Sequence, residues 1–258
     1  MSDHSDIGDP YPFEGEDGDE IGELNLEDLD QFGDDRITVG ELVSEVESWR
    51  FGHVIVDEAQ DLTPMQWRML MRRVRGRAMT IVGDLAQRSS GPAGTWSQHL
   101  PPELADIERL DLTINYRSPA EIHALAVAVL AEFAPDVAPS RPIRTSGFEP
   151  EFRAIASVGD GVREAIGDLL EAVPGQIAVI ALDNVLGDLA EFEDDERIRC
   201  LHPFGTKGLE FDGVVLVEPA DVLALTGGSA LLYIALTRAT QRLIVAHARP
   251  LPEVLQPS

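Results

Sequence analysis

The chain has 258 residues, 46 acidic and 20 basic, for a formal net charge of −26. That length holds one large domain or two modest ones with real apolar cores. A surface so acidic repels phosphate backbones unless arginines cluster locally, which excludes simple charge-driven nucleic-acid binding. No stretch is apolar enough for a membrane span, the N-terminus lacks a signal peptide's basic and apolar regions, and the single Cys200 excludes a disulfide framework, so a cytoplasmic protein with no membrane partner is expected.

Residues 1–35 carry 14 acids and no Lys or Arg, a composition that predicts disorder, and the remainder is still acidic at −26 + 14 = −12. Leu42, Val43, Val46 and Trp49 fall at helical spacing over 37–49. A short strand over 53–56 follows, its apolar Val54, Ile55 and Val56 suiting burial on both faces of a parallel sheet. Thr63 and Pro64 predict a helix start, and that helix runs to about Val74 beside Arg72, Arg73, Arg75 and Arg77. A second buried strand is expected over 78–82 and a third over Arg109–Thr113. The strongest helix is predicted over 119–133, with Ile122, Leu125, Ala126, Val129 and Leu130 on one face. Four prolines mark 134–150 as a linker or surface loop. Strands at 151–156, 176–181, 197–201, 213–217 and 242–247 then alternate with helices at 160–172, 183–192 and 228–237. Such alternation implies an α/β fold with a mostly parallel sheet flanked by helices.

The chemistry concentrates where the first strand ends, at Asp57 and Glu58. Open α/β sheets place ligands at the carboxyl ends of their strands, where one carboxylate can hold Mg²⁺ and its neighbour can orient a water. An Asp-Glu pair alone is more often a solvated turn. Four further stretches change that balance: Val-Gly-Asp-Leu-Ala-Gln at 82–87, Asn-Tyr-Arg-Ser at 115–118, Thr-Lys-Gly-Leu-Glu-Phe-Asp at 206–212 and Ala-Leu-Thr-Arg-Ala at 235–239. With Val-Asp-Glu-Ala-Gln-Asp at 56–61, their order and spacing resemble motifs II to VI of the superfamily 1 helicases of the UvrD/Rep type. The run Asp-Leu-Thr-Pro-Met-Gln-Trp-Arg-Met-Leu after motif II narrows the likeness to the HelD-like branch, whose members bind RNA polymerase.

The resemblance covers about residues 50–248 and implies RecA-like sheets, ATP and Mg²⁺ as cofactors, and nucleic acid as a partner of the full-length family. It divides the chain into an acidic head (1–35), a partial first RecA-like lobe (36–115), a second lobe (116–250) and a tail (251–258). Carried over residue by residue, Asp57 holds Mg²⁺ with Glu58, which activates the attacking water, and Gln87 senses the γ-phosphate. Tyr116 stacks on adenine, Glu210 contacts ribose, Gln60 joins the nucleotide-binding set, and Arg117 and Arg238 act as arginine fingers. The alternatives are an interdomain salt bridge for the two arginines and core packing for Tyr116.

Two departures temper the resemblance. No Gly-x-x-x-x-Gly-Lys-Ser/Thr loop occurs; Gly91-Pro92-Ala93-Gly94-Thr95 starts like one but continues Trp96-Ser97. The one lysine, Lys207, belongs to a later motif, where it could touch phosphate or another domain, and Phe204 stands where the UvrD pattern has histidine, with His202 five residues before the lysine. Hydrolysis is therefore expected only with a separate P-loop half. The rival expectation is an inactive binding protein whose acidic head engages a basic surface such as that of RNA polymerase.

Overall fold

The computed structural model describes residues 50–76, 78–88, 94–192 and 194–256. The acidic head and the 37–49 helix expectation lie outside the described residues, and Arg50–Ser258 forms a single contact unit.

Two small parallel sheets precede a large one. Strand β1 (Val54–Val56) pairs in parallel with β2 (Met79–Ile81), and β3 (Ile114–Asn115) with β4 (Arg141–Pro142). Helix α1 (Pro64–Arg73) joins β1 to β2. Its start is fixed chemically: Thr63 accepts from the Gln66 amide while Gln66 Oε1 accepts from the Thr63 amide, closing a capping box ahead of Pro64. Arg72 and Arg73 in the last turn face the negative end of the helix dipole. Trp67 of α1 packs with Val56, Ala59 and Leu104, and Val54, Met79 and Ile81 lean on the same cluster.

The first two strands are not buried on both faces as their composition predicts. Ile55 is 72% exposed and Val82 is 45% exposed, because α1 covers only one side of a sheet that has two strands among the described residues. The third predicted strand also fails over 109–113. Among the described residues 109–113 form no strand, although the Thr113 carbonyl accepts from the Arg141 amide; Arg109 pairs with Asp111, and Ile114–Asn115 join β4. The proline-rich stretch behaves as loop except at that two-residue β4.

The large sheet has five strands, β5 (Glu151–Ala154), β6 (Ile177–Ile180), β7 (Ile198–Leu201), β8 (Phe211–Val217) and β9 (Ala239–His247), all parallel in the order β5-β9-β8-β6-β7. The helices after β2 are α2 (Trp96–His99), α3 (Ala120–Phe133), α4 (Val158–Ala172), α5 (Asp183–Leu186), α6 (Pro219–Leu223) and α7 (Gly228–Leu236). Successive strand residues feed opposite cores. Ala178, Ile180, Val214 and Leu216 meet Ile122, Val129 and Leu231 from α3 and α7, whereas Ile177, Val179, Val215 and Val217 meet Val162, Ile166 and Leu169 from α4. This is the doubly covered parallel sheet the alternation implied, and the fold class is α/β of the RecA-like kind. The predicted 183–192 helix ends early: α5 stops at Leu186, and Gly187–Phe192 continues as a 3₁₀ segment with Leu189 off helical geometry. No helix among the described residues is long and apolar enough to cross a membrane.

Candidate functional site

The carboxyl end of β1 turns sharply. Glu58 adopts a left-handed conformation (φ 49°, ψ 38°), one of two non-glycine residues with positive φ among the described residues. A β-carbon in that region costs on the order of 1 kcal/mol, so the surroundings must hold it there. Asp57 Oδ1 accepts from the Glu58 amide at 2.8 Å, and Gln60 Nε2 donates to Glu58 Oε2. Gln60 is 1% exposed and its Oε1 accepts from the Asp84 amide at 3.0 Å, so one buried amide ties the end of β1 to the end of β2. Gly83 leaves the room this needs: a β-carbon there would stand 2.5 Å from Gln60 Oε1 and 2.6 Å from the Trp96 ring.

Gln87 continues the chain of contacts. Its Nε2 donates to Asp84 Oδ2 at 2.9 Å, and its Oε1 accepts from Arg238 at 3.1 Å. Arg238 is 1% exposed, directly after α7, and also donates to the carbonyls of Ile234 (3.1 Å) and Leu209 (3.0 Å) and to Thr237 Oγ1 (3.2 Å). Among the described residues it has no carboxylate partner. Burial, and then the field of Arg117, push its guanidinium below the ordinary value, against opposing pulls from Glu210 and Glu58. A buried guanidinium within the field of a second one makes a place where an anion is favoured.

Arg117 ion-pairs through Nε with Glu210 Oε1, without the alignment of a hydrogen bond. Its loop is fixed by Asn115, whose Oδ1 accepts from the amides of Arg117 (2.9 Å) and Ser118 (3.2 Å), while Ser118 Oγ donates to the Thr237 carbonyl. Arg117 thus pairs with an acid of its own lobe and not across the two lobes, whereas Arg238 reaches the first lobe through an amide. Tyr116 is 73% exposed, so core packing does not account for it. Lys207 directly follows a 3₁₀ turn (Pro203–Thr206), pairs with Asp61 Oδ2 and so reaches the motif II segment. His202 stacks on Phe204 at 5.4 Å between centroids and accepts the Phe204 amide, a local role. Gly91–Ala93 of the P-loop look-alike lie outside the described residues.

Sequence reasoning passed over His123, which is 4% exposed and lies between the Asn115 amide (3.1 Å) and the Ser140 carbonyl (2.7 Å). It braces the Asn115–Ser118 loop, and its helical register with Ile122 and Ala126 was the available signal.

Mg²⁺ and a nucleoside triphosphate fit this donor set in kind. Asp57 is exposed at a strand end beside Glu58. That suits Mg²⁺, which takes one or two carboxylates and keeps water and phosphate oxygens for the rest. Arg117 and Arg238 supply the cationic counterpart for phosphates.

An α/β sheet with such a motif series defines the class of superfamily 1 helicase cores. The viral superfamily 1 RNA helicase core domain profile matches residues 38–246, and the chain belongs to that family. The chain is also similar in structure to the C-terminal domain of a possible DNA helicase from Lactobacillus plantarum WCFS1, at 17% identity and a TM-score of 0.41 over 55% of this chain and 92% of that one. It is similar to the arterivirus nonstructural protein 10 helicase, solved also with DNA, at 18% identity and a TM-score of 0.44. That match covers 79% of this chain but 40% of the arterivirus protein, so the chain spans well under half of that relative. No curated protein sequence matches.

Proposed function

We propose that this chain is the C-terminal part of a HelD-like superfamily 1 ATPase, with a partial first lobe over 36–115 and a second over 116–250. It contributes the hydrolysis residues to a Mg-ATP site whose P-loop comes from another segment or polypeptide. Bound Mg-ATP would supply an electrophilic γ-phosphoryl group. Asp57 holds the cation with Glu58, Glu58 accepts a proton from water, and Gln87 reads the phosphate end. Tyr116 stacks on the base, Glu210 and Gln60 complete the nucleotide contacts, and Arg117 and Arg238 neutralise phosphate charge. In the full protein the partners would be nucleic acid and RNA polymerase.

The single observation that carries this reading is the unbroken run Glu58–Gln60–Asp84–Gln87–Arg238, which joins motif II to motif VI through partly buried hydrogen bonds. A solvated acidic turn has no use for a buried arginine that, among the described residues, pairs with no acid. Purified chain, mixed with a candidate P-loop half, is expected to hydrolyse ATP only in the mixture and to lose about a thousandfold in rate with Arg238→Ala. Turnover by the mixture that is indifferent to Arg238→Ala, or no turnover with any P-loop half, refutes the proposal.

A further inference from the structure

A cavity of about 220 Å³ opens beside Pro119, lined among others by Arg144, Ser146, Phe148, Thr240, Gln241 and Arg242. Two arginines in it make no ion pair among the described residues, in a chain where acids outnumber bases 46 to 20. Two acids bond to neighbouring groups of the lining segment and not to these arginines. Glu121 accepts from the amides of Ser146 and Gly147 and is held below the usual carboxylate value chiefly by backbone hydrogen bonds, and Asp212 accepts from Gln241 Nε2. Arg242 lies over one face of Phe148, its Cζ 3.1 Å from the ring centroid, while Phe148 keeps 48% of its surface exposed. Arg144 donates through Nη2 to the carbonyls of both Arg117 and Thr240.

We propose that this cavity binds a phosphate-bearing small molecule, with phosphate between Arg144 and Arg242 and a flat ring on the face of Phe148 opposite Arg242. Guanidinium forks match phosphate oxygens, and the arginine-backed ring offers a stacking platform. The volume is below that of drug-sized ligand sites, which suits a mononucleotide fragment. The overall charge of −26 disfavours an extended polyanion, whereas one phosphate feels mainly the local arginines. Because Arg144 also holds the Arg117 carbonyl, occupancy would bear on the position of Arg117. That coupling rests on the nucleotide reading above; binding to the cavity does not.

The test is calorimetric titration of the chain alone with AMP and, separately, inorganic phosphate, comparing Arg242→Ala, Phe148→Ala and Tyr116→Ala. All three side chains are at least partly exposed, and matched thermal unfolding curves verify folding. AMP affinity should fall about tenfold or more with Arg242→Ala and at least about fivefold with Phe148→Ala, and survive Tyr116→Ala. Inorganic phosphate should bind more weakly than AMP and depend on Arg242 alone. AMP binding lost with Tyr116→Ala and unchanged by the other two variants overturns the site, leaving the ATPase reading intact. Phosphate and AMP binding equally well, with no Phe148 dependence, overturns the stacking part. No binding of either probe overturns the whole.

Discussion

Val54-Ile55-Val56 of β1 and Ile177-Ala178-Val179-Ile180 of β6 are runs of the same kind, yet Ile55 is 72% exposed and every residue of β6 is at 0%. The difference lies in what stands around them. β6 has β7 and β8 on its two edges and helices on both faces, so alternate side chains enter two separate cores. β1 has β2 on one edge and α1 on one face among the described residues. A β-branched run reports that a strand will form; how deeply it is buried depends on its neighbours. The first region is joined to the second by Ala86, which is buried in the core of the large sheet, and by polar contacts, with Gln87–Arg238 and Asp61–Lys207 crossing between them.

That contrast can be broken or sharpened by mutation. Leu216→Ala in β8 should have the largest effect, a loss of about 2–5 kcal/mol in chemical denaturation, because a fully buried leucine leaves a cavity between the sheet and helices α3 and α7 that cannot fully collapse. Smaller losses would mean that the large sheet is not the stability centre of the chain.

A pH effect of comparable size is expected at the junction. Burial, then the charge of Asp84 across the boundary, push the Tyr233 phenol well above its ordinary value, against a weaker opposing pull from Arg238. A raised folded value means that the stabilising difference is complete below the unfolded phenol value of about 10. Stability is then lost as pH climbs above it, at about 1.4 kcal/mol per pH unit. Tyr233→Phe should flatten this alkaline slope in denaturation curves, and an unchanged slope would place the titration elsewhere.

Breaking the half-buried Asp61–Lys207 pair with Lys207→Met should cost about 1 kcal/mol. Hydrogen exchange should rise at the amides of 59–62 and 205–209, while the β6–β8 amides stay protected. Uniform exchange across both regions would show that they open as one.

Glu58→Gly is expected to leave the melting temperature nearly unchanged. Relief of the left-handed strain, about 1 kcal/mol, offsets the lost hydrogen bond to Gln60 of similar size. The proposed turnover with a P-loop half should nevertheless collapse. Smallest of all, Ile55→Ala should change stability by less than about 0.5 kcal/mol, since little of its surface is removed from water. A cost near that of Leu216→Ala would show that the open face of β1–β2 is covered in solution.

The motif residues were legible because they are local. Asp57 and Glu58 follow directly from a strand that ends, and Thr63-Pro64 starts a helix by short-range hydrogen bonding. The five strands of the large sheet and helices α3, α4 and α7 were legible for the same reason: apolar periodicity is a property of a few consecutive residues. Segment 109–113 was misread because Leu110 and Leu112 alternate as a strand would, but a strand exists only when another chain segment supplies its hydrogen bonds.

By itself, then, the sequence determined the α/β alternation, the helix starts and the ordered motif series that belongs to superfamily 1 helicase cores. Tertiary structure decided which carboxylate meets which base: Glu210 meets Arg117, Asp61 meets Lys207, and Arg238 meets the Gln87 amide instead of an acid. It also decided that Ile55 is exposed and that Arg144 and Arg242 share a cavity. The physical reason is range. Periodicity and capping act over a few residues, whereas pairing between groups from 29 to 151 positions apart depends on how sheets and helices stack, which local chemistry leaves open.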